Sequence, residues 1–198
     1  ETAEVKAAIL DPHGNLETEL FGRTDKDRIT LSGKINCPKL WNGVNSPGLY
    51  RAEITLFCNG EPVDSIEQEF GIRSYRIDAD NGFFLNGKPY PLHGVNYHQD
   101  SYESGWAMTG AQRERDYRII RDMGCTAVRM AHYQHCDHEY SLCDRLGLCV
   151  WTEIGIINKM SADDSDAHVL SDGFGDNAKQ QLRELIRQNY NHPSVIVW

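Results

Sequence analysis

Three features of the sequence predict its architecture. Up to about residue 72, short alternating strands are separated by turn clusters, one of them an Asn-Gly pair. From residue 91 the pattern changes to strand and helix in alternation. In that second part, successive apolar runs end in His98, in Arg129 and His132, in Glu153, and in Trp198. The expected fold is multidomain, β + α/β: an immunoglobulin-like β-sandwich over residues 1–72, then the first half of a (β/α)8 TIM barrel over residues 73–198.

In the first part, Val5–Leu10 reads as a strand that runs into the turn cluster Asp11-Pro-His-Gly-Asn15. Arg28–Ile35 alternates and is expected to be a second strand. Leu49–Phe57 is the clearest: Tyr50, Ala52, Ile54 and Leu56 share one face, and Arg51, Glu53 and Thr55 the other. Asn59-Gly60 predicts a type I′ hairpin, which needs positive φ at both central residues, and Ile66, Gln68 and Phe70 continue the return strand. Four or five strands stand where such a sandwich has about seven, so its first strands are expected to be missing.

Gly71–Ser74 is the expected junction, followed by a hairpin turning at Asn86-Gly87. Pro91–Tyr97 is a short strand ending at His98. Thr109-Gly-Ala-Gln112 is a capping box, in which side chains satisfy the free amides of a helix start. The helix is expected to run to Gly124 and to bury Ile119, Ile120 and Met123. Thr126–Trp151 holds strand, polar turn, amphipathic helix ending at Gly147, and strand. Gly155–Asp176 has no periodicity and reads as a long loop, with Asp163–Asp166 as a solvated acidic run lacking the glycine of a calcium loop. Asn177–Asn191 is helical, with Ala178, Leu182, Leu185 and Ile186 on one face, and Ser194–Trp198 begins a buried strand. A doubly wound sheet announces its ligand loop by a Gly-rich turn after the first strand; Val95-Asn-Tyr-His98 has none, which favours a barrel.

Composition narrows the partners. The chain of 198 residues carries a net charge of −9, with no basic face for nucleic acid. No run approaches the roughly 18 apolar residues of a membrane span. No basic-then-apolar secretory layout is present, and the compartment is left open between cytoplasm and periplasm. The six cysteines form no C-x-x-C pair, and a disulfide scaffold is not expected; a Cys37–Cys58 bridge across the sandwich is the minority reading.

One polar residue at a strand end is commonplace, but successive strands delivering charged or ring-bearing groups to one rim point to a site, since ligands collect at the C-terminal ends of parallel strands. Arg129 lies inside an apolar strand and implies a carboxylate partner, and Glu153 has the same need. His132-x-x-His135-x-x-His138 invites a metal reading. With the first histidine closing a strand and the last opening a helix, the rings point apart, so no metal is expected. Asp137 is expected as N-cap and His138 as an exposed first-turn residue. No Gly-x-Ser-x-Gly elbow or phosphate loop occurs. Glycoside hydrolysis with retention needs two carboxylates about 5 Å apart, and Glu153 and Glu103 have no partner in register.

Arg129, His132, Tyr133, Asp144, Gly147 and Leu148–Trp151 stand in the register of the first signature of glycoside hydrolase family 2, the β-galactosidase and β-glucuronidase family, which this chain resembles throughout. The pattern is Asn-x-x-Arg, two small residues, His-Tyr-Pro, an apolar segment, and Asp-x-x-Gly; here Thr126 replaces Asn, Met130 a small residue and Gln134 the Pro. Leu40-Trp-Asn-Gly, Pro47-Gly-Leu-Tyr50, Phe70-Gly-Ile-Arg73 and Phe84–Lys88 resemble the family's passage from sandwich to barrel, and Asn189–Trp198 its fourth barrel strand. The His-Tyr-Gln-His form resembles a β-galactosidase-like branch.

The resemblance implies a retaining double displacement on a β-linked sugar, most of all a β-galactoside. The acid/base Glu, in an Asn-Glu pair, and the nucleophile Glu would follow the fourth and seventh strands, beyond Trp198, so the 198-residue piece is expected to be inactive alone. By position His98 and His132 resemble sugar-contacting histidines, with Asp100, Glu153 and Trp198 as further substrate contacts, and Arg129 resembles the arginine orienting the nucleophile. Some members bind magnesium after the third strand; Ile156, Ile157 and Lys159 do not support that here, and no cofactor is expected. A half barrel leaves edges that favour self-association, and a homo-oligomeric parent stays open. Two rivals stand beside this reading: a carbohydrate-binding or structural module without catalysis, and a metal-dependent hydrolase using the histidine cluster.

Overall fold

The structure is a computed structural model that describes residues 2–156 and 173–198. The acidic run Asp163–Asp166, Ile157 and Lys159 lie outside the described residues.

Strands β1 (Ala3–Leu10), β2 (Leu16–Thr24), β3 (Tyr50–Cys58) and β4 (Glu61–Phe70) form one antiparallel sheet in the order β2-β1-β3-β4. The first turn closes because Asp11 Oδ1 accepts from the backbone amides of His13 (2.8 Å) and Asn15 (2.9 Å), while the Lys39 ammonium covers its other oxygen. Those donors hold the Asp11 carboxyl well below the usual carboxylate range, the Lys39 contact most of all. Asn59 and Gly60 have φ of 53° and 84°, the left-handed pair that the hairpin between β3 and β4 requires.

Arg28–Ile35 is not a strand, contrary to its alternation. Its side chains are laid onto β2 instead: a Cβ at Gly22 would stand 2.6 Å from both Ile29 and Leu31, and one at Gly33 would stand 2.6 Å from Leu20. The alternating apolar residues are satisfied by face-on packing, so the backbone has no need of a ladder.

Strands β5 (Tyr75–Asp78), β6 (Gly82–Leu85) and β7 (Lys88–Pro89) make a second small sheet, and Asn86-Gly87 is the expected turn, with φ of 50° and 78°. Then β8 (Gly94–Tyr97), α1 (Gly110–Asp122), β9 (Ala127–Met130), α2 (Asp137–Leu146), β10 (Cys149–Thr152), α3 (Phe174–Asn189) and β11 (Val195–Val197) follow in alternation. The four strands are parallel and ordered β11-β10-β9-β8, with no reversal. A sheet wound in one direction is an arc of a barrel, whereas a doubly wound sheet reverses its order. Val128, Met130, Val150 and Val195 pack beneath Tyr117, Ile120, Tyr140, Leu142 and Leu148.

Three helix expectations change. In α1 the residues turned to the sheet are Tyr117 and Ile120, while Ile119 and Met123 are 51% and 65% exposed. Consecutive helical residues differ by about 100° in direction, so Ile119 cannot share the line on which Tyr117 and Ile120 sit. In α2 the N-cap is Cys136 without a side-chain bond, Asp137 is the first helical residue, and His138 is half-buried, 3.9 Å from Glu114. Helix α3 begins at Phe174, so Phe174–Asp176 belong to its first turn and not to a loop.

The two parts are joined by buried polar contacts. Trp41 is fully buried; its amide donates to the carbonyl of Ile72 and its indole to the carbonyl of Asp144, each at 2.9 Å. Arg73 donates from Nε to the Pro193 carbonyl and from Nη2 to that of Val195, both at 2.5 Å. Burial lowers the pKa of its guanidinium. Asp144 accepts the amide of Ser194 at 3.0 Å and meets His192 Nδ1 at 2.5 Å, so the Asp of the Asp-x-x-Gly signature pins the start of β11.

Cys37 is an exposed free thiol, which removes the cross-sandwich bridge. Cys143 and Cys149 are buried, and burial pushes the Cys149 thiol up to about 12 and Cys143 well above its ordinary value. At mildly alkaline pH an alkylating reagent should modify Cys37 while Cys143 and Cys149 stay protected until the chain unfolds, as mass spectrometry would show.

Gly147 has φ of 76°, and a Cβ there would stand 2.3 Å from the carbonyl oxygen of Gly43, at the joint between the two parts. Gly124 has φ of 83° with nothing within 4 Å. Gly124→Ala should cost about 1 kcal/mol, the left-handed penalty alone, and Gly147→Ala about 3 kcal/mol or more, as measured by urea unfolding.

Candidate active site

The site is built at the C-terminal ends of β8, β9 and β10. Trp151 pairs in register with Arg129, so the next residue of β10 that faces the same way beyond the strand end is Glu153. Arg129 Nε donates to Glu153 Oε1 at 2.6 Å, and its guanidinium carbon lies 5.2 Å from the Trp151 ring centre. His132 Nδ1 stands 3.2 Å from Arg129 Nη2 and 3.3 Å from Glu153 Oε2. Those two contacts are alternatives: an unprotonated Nδ1 accepts from Arg129, and a protonated one donates to Glu153. The partner that each half-buried charge calls for is therefore the other.

His98 meets His132 edge to face at 5.2 Å and lies 6.1 Å from the Tyr133 ring. Asp100 is exposed on the loop after β8, its amide donating to the His98 carbonyl at 2.9 Å. Tyr133 accepts from the Gln99 amide; burial raises its pKa, and the Asp100 charge adds to the rise. The structure thus brings His98, Arg129, His132 and Glu153 together, with Asp100 on the adjoining loop. Trp198 is not brought in. It lines a separate depression of about 440 Å³ with Arg73, Tyr75 and Ile186. Glu103 is exposed on the loop after β8.

Below the rim lies a polar cluster that the sequence pattern did not reveal. His135 and Glu139 are fully buried, with Nδ1 of the former 2.6 Å from Oε2 of the latter. Glu139 also accepts from Arg113 Nε at 3.0 Å and from the Tyr117 hydroxyl at 3.4 Å. His135 Nε2 faces the Ala131 carbonyl at 3.2 Å, and because a carbonyl only accepts, that nitrogen carries a proton. The Ala131–His132 peptide is cis. The one legible signal was the i, i+4 spacing of His135 and Glu139. Both nitrogens of His135 are engaged internally, so His132, His135 and His138 share no common point. Among the described residues no group of three or more His, Cys, Asp or Glu side chains is placed to hold a metal ion.

Residues 77–198 match the model for the TIM barrel domain of glycosyl hydrolases family 2, and residues 1–73 match a second model of the same family. The chain belongs to glycoside hydrolase family 2. A β-glucuronidase of Bacteroides fragilis is 44% identical over 164 residues, which are 83% of this chain and 24% of the relative. A β-galactosidase of Bacteroides ovatus is 30% identical, over 100% of this chain and 23% of the relative. Among solved structures, a Bacteroides uniformis β-glucuronidase covalently bound to cyclophellitol-6-carboxylate aziridine superposes with a TM-score of 0.87 at 36% identity, over 100% of this chain and 23% of that one. The chain spans about a quarter of the length of these family 2 relatives.

Removing one partner from a buried charge cluster leaves the others uncompensated. Glu139→Leu should lower stability by about 3–5 kcal/mol in urea unfolding, and the double variant Arg113→Met/Glu139→Leu should recover part of the loss.

Proposed function

We propose that this chain supplies one wall of the sugar site of a retaining β-glycosidase. The observation that carries the reading is the convergence of His98, Arg129, His132 and Glu153 at the C-terminal ends of three neighbouring parallel strands. Glu153 holds Nε of Arg129 while Nη2 lies 3.2 Å from His132 Nδ1, so the guanidinium is fixed from two sides beside the sugar-contacting histidines. A carboxylate nucleophile placed there would be kept ionised and oriented. His98 and His132 would hold sugar hydroxyls beside it, with Asp100 reaching over from the loop. In this reading the nucleophile and the acid/base carboxylate come from parts of the barrel beyond Trp198, two carboxylates about 5 Å apart across the glycosidic bond.

For the sugar, a β-glucuronide is the first reading, supported by the 44% identity to the Bacteroides fragilis β-glucuronidase. A β-galactoside, expected from the His-Tyr-Gln-His form, is the second, supported by the whole-chain match to the Bacteroides ovatus β-galactosidase.

The test is a panel of aryl β-glycosides against the full-length parent, with NMR of the first-formed product. Hydrolysis of the β-glucuronide in preference to the β-galactoside, with the β-anomer released first, is expected; the opposite preference selects the second reading. No turnover of any β-glycoside, or release of the α-anomer first, would refute the proposal. The 198-residue polypeptide alone should show no turnover, and Arg129→Met in the parent should lower kcat by about 10²-fold through misplacement of the nucleophile.

A further inference from the structure

Beside the rim stands an aromatic column that the sugar site does not use. Trp106 stacks on Tyr133 with ring centres 4.8 Å apart and planes at 28°, and Tyr133 stacks on His135 at 5.1 Å and 29°. The base of the column is rigid, because both nitrogens of the buried His135 are held by Glu139 and the Ala131 carbonyl. The top is open: Trp106 is 63% exposed.

The loop that carries Trp106 is built to hold it. Ser101 and Gly105 exchange two backbone hydrogen bonds, of 3.0 and 2.8 Å, and the Ala107 amide donates to the Ser104 carbonyl at 3.1 Å. Gly105 takes a φ of 53° to close this small hairpin. The loop is tied down on both sides. Gln99 Oε1 accepts the Cys136 amide at 3.1 Å, and beyond Trp106 the buried Met108 offers its carbonyl to Arg113 Nη1. With its loop closed by these contacts and one ring face stacked on Tyr133, the exposed indole is positioned before any ligand arrives, which favours stacking.

We propose that Trp106 is the platform for the leaving-group part of the glycoside, and that it binds the flat apolar face of a ring attached to the scissile oxygen. Position supports this occupant. Tyr133, on which Trp106 stacks, also touches His98, and His98 touches His132 within the proposed sugar site, so the platform is continuous with that site and one ring further out. A ring presents its face to an indole by stacking, whether it is a planar aryl group or the C–H face of a second sugar. A methyl leaving group has no such face.

The inference rests on the proposed β-glycosidase activity, and its test separates the two. In the full-length parent, Trp106→Ala should lower kcat/KM for a 4-nitrophenyl β-glycoside by about 3- to 10-fold. It should leave kcat/KM for the methyl β-glycoside, and the inhibition constant of the free sugar, unchanged. Trp106→Phe, which keeps a ring, should recover most of the aryl rate. A disaccharide substrate distinguishes the sources: loss on the aryl glycoside alone assigns an aryl leaving group, and loss on both assigns any ring. Equal losses on methyl and ring-bearing glycosides, a weakened free sugar, or no loss on either ring-bearing substrate would overturn the platform while leaving the activity standing. Absence of all turnover by the parent would remove both.

Discussion

The rim depends on one ion pair. An arginine inside an apolar strand is tolerable only with a carboxylate at bonding distance, and Glu153 supplies it at 2.6 Å from the adjacent strand. That pairing requires β9 and β10 to be parallel and in the register that sets Trp151 beside Arg129. A slip of one residue would turn Glu153 to the other face and leave two half-buried charges without each other. The same pair shapes the chemistry, because a guanidinium with one edge already bound has its remaining donors aimed in a set direction. The constraint that orders the sheet also prepares the rim.

Beneath the rim, polar side chains do structural work of the same kind. Glu139 gathers Arg113, Tyr117 and His135, and thereby ties α1 to α2 and to the turn that carries His132. Asp144 does this at the opposite end of α2, where its carboxylate holds the start of β11 and its carbonyl holds Trp41. Glu139 draws donors from α1 and from the turn before α2, and the Asp144 carboxylate draws its donors from the turn before β11, so each contact limits how far those segments can slide. The burial of Trp41 and the close approach of Gly147 to Gly43 then make the joint between the two parts of the chain a packed interface.

Family membership alone leaves the sugar open, because the relatives that match include both a β-glucuronidase and a β-galactosidase. The chain covers about a quarter of each.

Much was legible in the sequence because it depends on local rules. The turns at Asn59-Gly60 and Asn86-Gly87 follow from left-handed φ, the start of α1 from its capping box, and the end of α2 from Gly147. The parallel strands followed from apolar runs alternating with helices, and the need of Arg129 for a carboxylate from its place in such a run. Other features needed the tertiary structure. Alternation at Arg28–Ile35 could serve a ladder or a covering segment, and only contact with β2 decides which. The stripe of α1 depended on which of two adjacent isoleucines faced the sheet. That His135 is buried among Glu139 and the Ala131 carbonyl, and that Trp198 lies apart from the rim, are decided by side chains distant in sequence meeting or failing to meet. The sequence by itself determined which groups needed partners; only the tertiary structure decided which partners they found, because contacts between distant elements follow from packing and not from spacing along the chain.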